Sequence, residues 1–238
     1  MPDPQDDPPP VDTVPADVWI VVPAYNEGPR LADTLAGLSR LGGTVVVVDD
    51  GSDDDTAAIA TAAGVRVVRH PINLGQGAAL QTGFDAAVQS GARVVVTFDG
   101  DGQHQPSDVA AIAQPALTGK ADVVLGSRFL ESQSEVPPLR RCLLRGGVVF
   151  TRAVSRVRVT DTHNGLRAFT AETLRTLRIT QPRMAHASEL LDEIARHRLR
   201  YVEVPVEVRY RDDLLAKGQS NWAAIRIVAE FLLGRLTR

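Results

Sequence analysis

The sequence predicts an α/β fold: a mostly parallel sheet with helices on both faces. Three observations carry this. Short runs rich in β-branched residues recur through the first half, at Val18–Val22, Thr44–Val48, Val65–Val68, Val94–Phe98 and Val123–Leu125. Between them lie helical stretches of about ten to fifteen residues, the pattern of strands joined by crossover helices. Polar and acidic residues follow directly on three of the runs, where ligands bind in sheets of this kind.

Composition agrees. The 238 residues are 44% hydrophobic and 23% charged, ordinary for one soluble α/β domain. The net charge of -3 gives no case for a nucleic-acid partner. The single cysteine, Cys142, excludes an internal disulfide and a multi-cysteine metal site. No apolar run reaches the roughly 18 residues that cross a bilayer, and the N-terminus has no secretory core, so a cytoplasmic location is expected.

Residues 1–17, rich in Pro and Asp, read as a disordered leader. The first strand starts at Val18 and is expected to stop at Pro23, before the polar loop Ala24-Tyr25-Asn26-Glu27-Gly28. A helix from Pro29 to about Arg40 packs through Leu31, Leu35 and Leu38, which recur at helical spacing. The second strand ends in Asp49-Asp50-Gly51. Ser52 and Asp55 then have the spacing of a capping box for a helix reaching Ala63. After the third strand, His70-Pro71-Ile72-Asn73-Leu74-Gly75-Gln76-Gly77 leads into an Ala-rich helix closed near Ser90.

The fourth strand runs into Asp99-Gly100-Asp101-Gly102-Gln103-His104. If the backbone stays extended here, Asp99, Asp101 and Gln103 point to one side and would offer a row of hard oxygen ligands suited to Mg²⁺ or Mn²⁺. The same stretch also reads as a solvated acidic turn. Against that stands convergence: Tyr25, Asn26, Glu27, Asp49, Asp50, Asp99 and Asp101 come to one rim from three strands. His104 reads equally as a neighbour of the metal or as a structural residue of its turn.

Ser107 to about Leu117 is helical, and Gly126-Ser127-Arg128-Phe129 brings an arginine to the same rim. Val136 to Thr160 holds Arg140, Arg141, Arg145, Arg152, Arg156 and Arg158 and no acidic residue. This basic amphipathic segment suits anionic lipid headgroups, or equally a core-packing helix with a solvated arginine face. Asp161 to Phe169 reads as a polar connection. A helix from Ser188 to Arg198, a strand from Tyr201 to Tyr210 and a C-terminal amphipathic helix within 216–238 follow.

Several chemistries are excluded. There is no glycine fingerprint after the first strand, no Walker loop and no G-x-S-x-G elbow. The rim suits a nucleotide diphosphate: Asp50 for base or ribose, Asp99 for ribose or metal, Asp101 for metal, and Arg128 or Arg211 for diphosphate oxygens.

Five stretches, Val21-Val22-Pro23-Ala24-Tyr25-Asn26-Glu27, Val48-Asp49-Asp50-Gly51-Ser52, Asn73-Leu74-Gly75-Gln76-Gly77, Asp99 through Pro106 and Gly126-Ser127-Arg128-Phe129, occur in an order and spacing that resemble family 2 glycosyltransferases. The resemblance covers about residues 18 to 215 and is to the GT-A fold, in the branch of dolichyl- and polyprenyl-phosphate sugar synthases. It implies a GT-A catalytic domain over 18–215 and inverting transfer of a hexose from GDP-mannose or UDP-glucose to a polyprenyl phosphate. Acceptors with a soluble or polysaccharide hydroxyl, and a non-catalytic nucleotide-binding protein, stay open as alternatives. It further implies that Pro23, Ala24, Tyr25, Glu27 and Gly75 line the donor pocket with Asp50 on the base. Asp99, Asp101 and Gln103 surround metal and diphosphate, Asp161 lies near the acceptor, Glu189 lies near the sugar, and Arg209 and Arg211 meet phosphates. Lipid contact would then come through peripheral docking at the cytoplasmic membrane face or through a small membrane-protein partner. The chain departs from the branch at His163-Asn164-Gly165 and at Gly218-Gln219-Ser220-Asn221, both on the acceptor side.

Overall fold

The computed structural model describes residues 13–130, 157–181 and 185–209. Expectations on residues 1–12, on the basic segment from Arg140 to Arg156, on Arg211 and on the C-terminal helix lie outside these residues.

Among the described residues seven strands form one sheet: β1 Val18–Ala24, β2 Thr44–Asp49, β3 Arg66–Arg69, β4 Val94–Thr97, β5 Val123–Ser127, β6 Arg167–Thr170 and β7 Tyr201–Pro205. Their spatial order is β3-β2-β1-β4-β6-β5-β7. β1 pairs in parallel with β2 and β4, β2 with β3, and β5 with β7. β6 runs antiparallel to both neighbours, β4 and β5. The helices are α1 Gly28–Leu38, α2 Thr56–Ala62, α3 Gln76–Gln89, α4 Asp108–Leu117, α5 Ala171–Thr176 and α6 His186–Arg196.

The two-residue period of β1 sorts the core into two layers. Val18, Ile20 and Val22 face one side and pack with Leu31, Leu35 and Leu38 of α1 and Val109, Ile112 and Ala113 of α4. Trp19 and Val21 face the other and pack with Leu80 and Phe84 of α3 and Leu190, Leu191 and Ile194 of α6. Each such side chain, fully buried, stabilises the fold by about 1.5–3 kcal/mol. Helices therefore cover both faces, as the unbroken apolar strands require.

Local differences from the sequence reading have physical causes. β1 continues through Pro23 to Ala24. The ladder with β4 ends at Val21–Thr97 and Phe98, so the missing N–H of Pro23 falls past its end. The capping box does not form. Ser52 Oγ instead accepts the Asn26 N–H (3.0 Å), the helix starts later, at Thr56, and the Asp55 side chain makes no capping bond. Asp161 to Phe169 is not wholly connection: its end is β6, inserted at the middle of the sheet. Val14, within the stretch read as leader, is buried, and its N–H donates to the Leu41 carbonyl (2.7 Å). Among the described residues no helix is long and apolar enough to cross a membrane.

Candidate active site

The C-terminal ends of β1 and β2 are laced together by side chains that bond to backbone. Asn26 holds a left-handed φ of 54°, and its Oδ1 accepts the Asp53 N–H (3.0 Å). The Glu27 N–H donates to Thr56 Oγ1 (3.1 Å), and Ala24 O accepts the Asp50 N–H (2.8 Å). Tyr25 stands on the rim, 44% exposed, as do Ile72 and Leu74 on the next loop. Asp50, expected on a base, is only 2% exposed and turns both oxygens onto that loop. Oδ1 accepts the Leu74 N–H (2.9 Å) and meets His70 Nδ1 (2.7 Å), and Oδ2 accepts the Gly75 N–H (2.7 Å). Gly75 has φ +99°, open to glycine and strained for other residues, and it delivers the chain into α3. Asp50 thus fixes the loop from His70 to Gly75.

The two acids after β4 differ in character. Asp99 Oδ1 accepts from Gln76 Nε2 (3.0 Å) at the start of α3, and Oδ2 lies 3.3 Å from His104 Nε2. Burial pushes Asp99 up, but the hydrogen bond and charge of His104, joined by His186 and Arg167, outweigh it and hold the carboxyl below its ordinary range. His104 is itself buried, edge-on to Phe98, so it serves the turn and Asp99 together. Asp101 is pushed up to about 6 by burial and by the charge of Asp99, with Glu27 adding to it. Gln103 donates its backbone N–H to Asp101 Oδ1 (3.0 Å), and its carbonyl accepts the Arg209 N–H (2.9 Å). The Arg209 guanidinium turns outward to Glu207 (2.8 Å).

These residues fit a hard divalent cation. A carboxylate whose proton affinity is raised by a neighbouring anion is a group that a cation stabilises. Among the described residues no three His, Cys, Asp or Glu side chains are placed so that together they could hold a metal ion. A cation here would draw much of its shell from outside the protein, as Mg²⁺ commonly does.

Across the rim, Arg128 and Asp161 are brought together, although 33 residues separate them. Arg128 Nε donates to Asp161 Oδ2 (2.6 Å), NH2 to Oδ1 (3.3 Å), and the Arg128 backbone N–H to Oδ2 (3.2 Å). Both residues are buried. The arginine expected on diphosphate oxygens and the acid expected near the acceptor therefore neutralise each other. Glu203 Oε1 fixes the approach to the pair by accepting the Thr160 N–H (2.7 Å) and hydroxyl (2.8 Å). Glu189, expected near the sugar, is 2% exposed and accepts the Thr180 and Gln181 N–H groups (3.0 and 2.8 Å), so it anchors the segment before α6.

Three contributors escaped sequence reasoning. Arg167, at the start of β6, is 5% exposed and donates to the carbonyls of Asn164 (2.9 Å) and Thr162 (3.2 Å), while Asp99 and Asp161 support its charge against burial. Burial lowers its pKa to about 10, so it stays cationic at neutral pH. Gly165 packs on Asp99 so closely that a Cβ there would overlap the carboxylate. An arginine inside a short strand carries no sequence signal of its role. His186, which bears on Asp99, was isolated in sequence for the same reason.

A family model described as glycosyl transferase family 2 matches residues 19–177. The UDP-N-acetylglucosamine–dolichyl-phosphate N-acetylglucosaminyltransferase of Methanococcus voltae is 29% identical, over 91% of this chain and 95% of that one. The undecaprenyl-phosphate mannosyltransferase of Micrococcus luteus is 31% identical, over 79% and 82%. Among solved structures, glucosyl-3-phosphoglycerate synthase of Mycobacterium tuberculosis, in complex with Mn²⁺, UDP and phosphoglyceric acid, superposes with a TM-score of 0.68 at 24% identity, over 90% of this chain and 77% of that one. The sheet described above has the GT-A fold.

Proposed function

Since the chain belongs to glycosyl transferase family 2 and is a glycosyltransferase, we propose that it moves a hexose from a nucleotide sugar to a polyprenyl phosphate. The donor is GDP-mannose or UDP-glucose, the anomeric centre inverts, and the reaction needs Mg²⁺ or Mn²⁺.

The observation that carries the acceptor class is the Arg128–Asp161 pair. A hydroxyl acceptor needs a base, and Asp161 is the candidate that motif resemblance offers. Its side chain is 1% exposed and accepts two bonds from one guanidinium, so it is engaged before any acceptor arrives. A phosphate acceptor is already anionic and needs no base. The names of the two relatives point the same way, since both act on a lipid phosphate.

On the donor side, Asp50 and Gly75 fix the loop that walls the nucleotide pocket, and Tyr25 offers its ring at the rim. Asp101, with Asp99 behind it and Gln103 beside it, would hold the divalent cation. When bound, that cation neutralises charge developing on the departing diphosphate. Arg209 is tied by its backbone to the Gln103 carbonyl, and its guanidinium, turned outward to Glu207, would have to swing in to meet a phosphate. No side chain is required to form a covalent intermediate, so a single displacement with inversion follows. A lipid acceptor places the reaction at the cytoplasmic membrane face, reached by peripheral contact or through a small membrane-protein partner.

The test is a donor panel of GDP-mannose, UDP-glucose and UDP-N-acetylglucosamine with polyprenyl phosphate and Mg²⁺ or Mn²⁺, read by the mass of the lipid product. Manganese binding, followed by electron spin resonance, checks the cation site apart from turnover. Sugar transfer to a hydroxyl, with no donor labelling the lipid phosphate, overturns the proposal.

A further inference from the structure

One imidazole on the acceptor side is not used by the reaction as described. His163 stands in the turn between Asp161, tied to Arg128, and Gly165, packed on Asp99. Asp161, Arg167 and Arg128 are the charged groups that bear on it. Thr162 beside it is 2% exposed, and its hydroxyl lies 2.7 Å from His163 Nδ1. A buried hydroxyl without an acceptor for its proton costs about 1–3 kcal/mol. Nδ1 is the partner of that hydroxyl among the described residues, so the hydroxyl donates and Nδ1 accepts. A neutral imidazole that accepts at Nδ1 carries its proton on Nε2. Burial keeps the ring neutral, with Arg167 and Arg128 reinforcing it against the pull of Asp161. Nε2 has no hydrogen-bond partner among the described residues, and the residue is half-buried, unlike Thr162 and Asn164 on either side of it.

We infer that His163 is an acceptor-positioning residue whose Nε2–H donates to an oxygen of the acceptor phosphate. A ring locked in this tautomer has no lone pair at Nε2, so it cannot take a proton from a hydroxyl acceptor. It matches a ligand group that only accepts hydrogen bonds. The carbonyls of Thr162 and Asn164 are held from beneath by Arg167, which fixes the turn and with it the direction of the ring. The inference rests on the phosphate-acceptor reading above and adds the residue that recognises the phosphate.

Two measurements test it. Long-range ¹H–¹⁵N spectra of the full-length protein report the tautomer directly, and the Nε2–H form is expected for His163. A Nδ1–H form overturns the inference. Kinetics with a short-chain polyprenyl phosphate then separate acceptor from donor. His163→Ala is expected to raise the acceptor KM about 10-fold, the scale of a hydrogen bond to a charged group, and to leave the donor KM unchanged. His163→Gln, whose amide nitrogen lies near the place of Nε2, is expected to recover most of the loss. An unchanged acceptor KM in His163→Ala, or equal losses in both variants, or donor and acceptor KM rising together, overturns the inference while lipid product still forms. If the wild-type protein labels no lipid phosphate, the acceptor reading fails, and the inference fails with it whatever the tautomer.

Discussion

The two sides of the rim handle charge in opposite ways. On the side built by β1, β2 and β4, carboxylates bond to backbone N–H groups, to an amide side chain and to histidines. Asp50 takes the Leu74 and Gly75 amides and His70, Asp99 takes Gln76 and His104, and Asp101 carries a charge that burial and Asp99 oppose. On the side built by β5 and β6, Arg128 and Asp161 cancel within the protein, and Arg167 is spent on two carbonyls. The first side holds a carboxylate that a cation would stabilise, the premise of the proposed metal site. The second closes one guanidinium–carboxylate pair within the wall and keeps Arg167 as a further buried cation. Unbalanced charge marks where a charged ligand is to be bound, and balanced charge marks where shape has to be held.

Breaking the balanced side should have the largest effect. Arg128→Ala leaves the Asp161 carboxylate buried without its guanidinium and is expected to destabilise the fold by about 3–5 kcal/mol. Replacing both, Arg128→Met with Asp161→Leu, should cost far less, because no uncompensated charge remains. Urea denaturation of the three proteins measures this. Equal losses in single and double variants would mean that the pair does not act as a neutral unit.

The unbalanced side should respond in function before stability. Asp101→Asn is expected to lower metal-dependent transfer about 100-fold, equivalent to about 2.7 kcal/mol of transition-state stabilisation. The same substitution should stabilise the metal-free fold, because it removes the charge that burial and Asp99 oppose. A smaller effect follows with pH. The folded pKa of Asp101, about 6, lies above the ordinary aspartate value of 3.8. The native state therefore holds a proton that the unfolded chain has lost between those values. Stability of the metal-free protein should fall by about 1–2 kcal/mol as pH rises from 4 to 6, and Asp101→Asn should remove that slope. Thermal melts across this range give the comparison. A slope unchanged in the variant would assign the titration to another group.

The legible parts of the fold were those fixed locally. β1, β2, β4 and β5 announce themselves by unbroken β-branched runs, and α1 by the spacing of Leu31, Leu35 and Leu38. Arg167-Ala168-Phe169-Thr170 was not legible as a strand. It is short, opens with a charged residue, and is a strand because β4 and β5 leave it a slot. The capping box failed for a related reason: Ser52 had a tertiary customer, the Asn26 amide, that outweighed the local one. At the site, spacing after strand ends pointed to Asp99 and Asp101 because chain direction alone carries them to the rim. It could not show that Arg128 and Asp161 would find each other, that Asp50 would turn onto its own loop, or that Arg167 would lie beneath them. Those are pairings between distant segments, and no single stretch encodes both partners.

The insertion of β6 also sets the order in which the molecule can be finished. Its partner in β4 lies 70 residues earlier, at Thr97 opposite Arg167, whereas β1, β2 and β3 follow one another within a short span. Closing so long a loop is slow, and a chain made from its N-terminus displays the early strands first. The edge that carries Asp50, Asp99 and Asp101 is therefore synthesised before the strand that completes the neighbouring wall. Until that strand arrives, Asp99 lacks the glycine that packs against it.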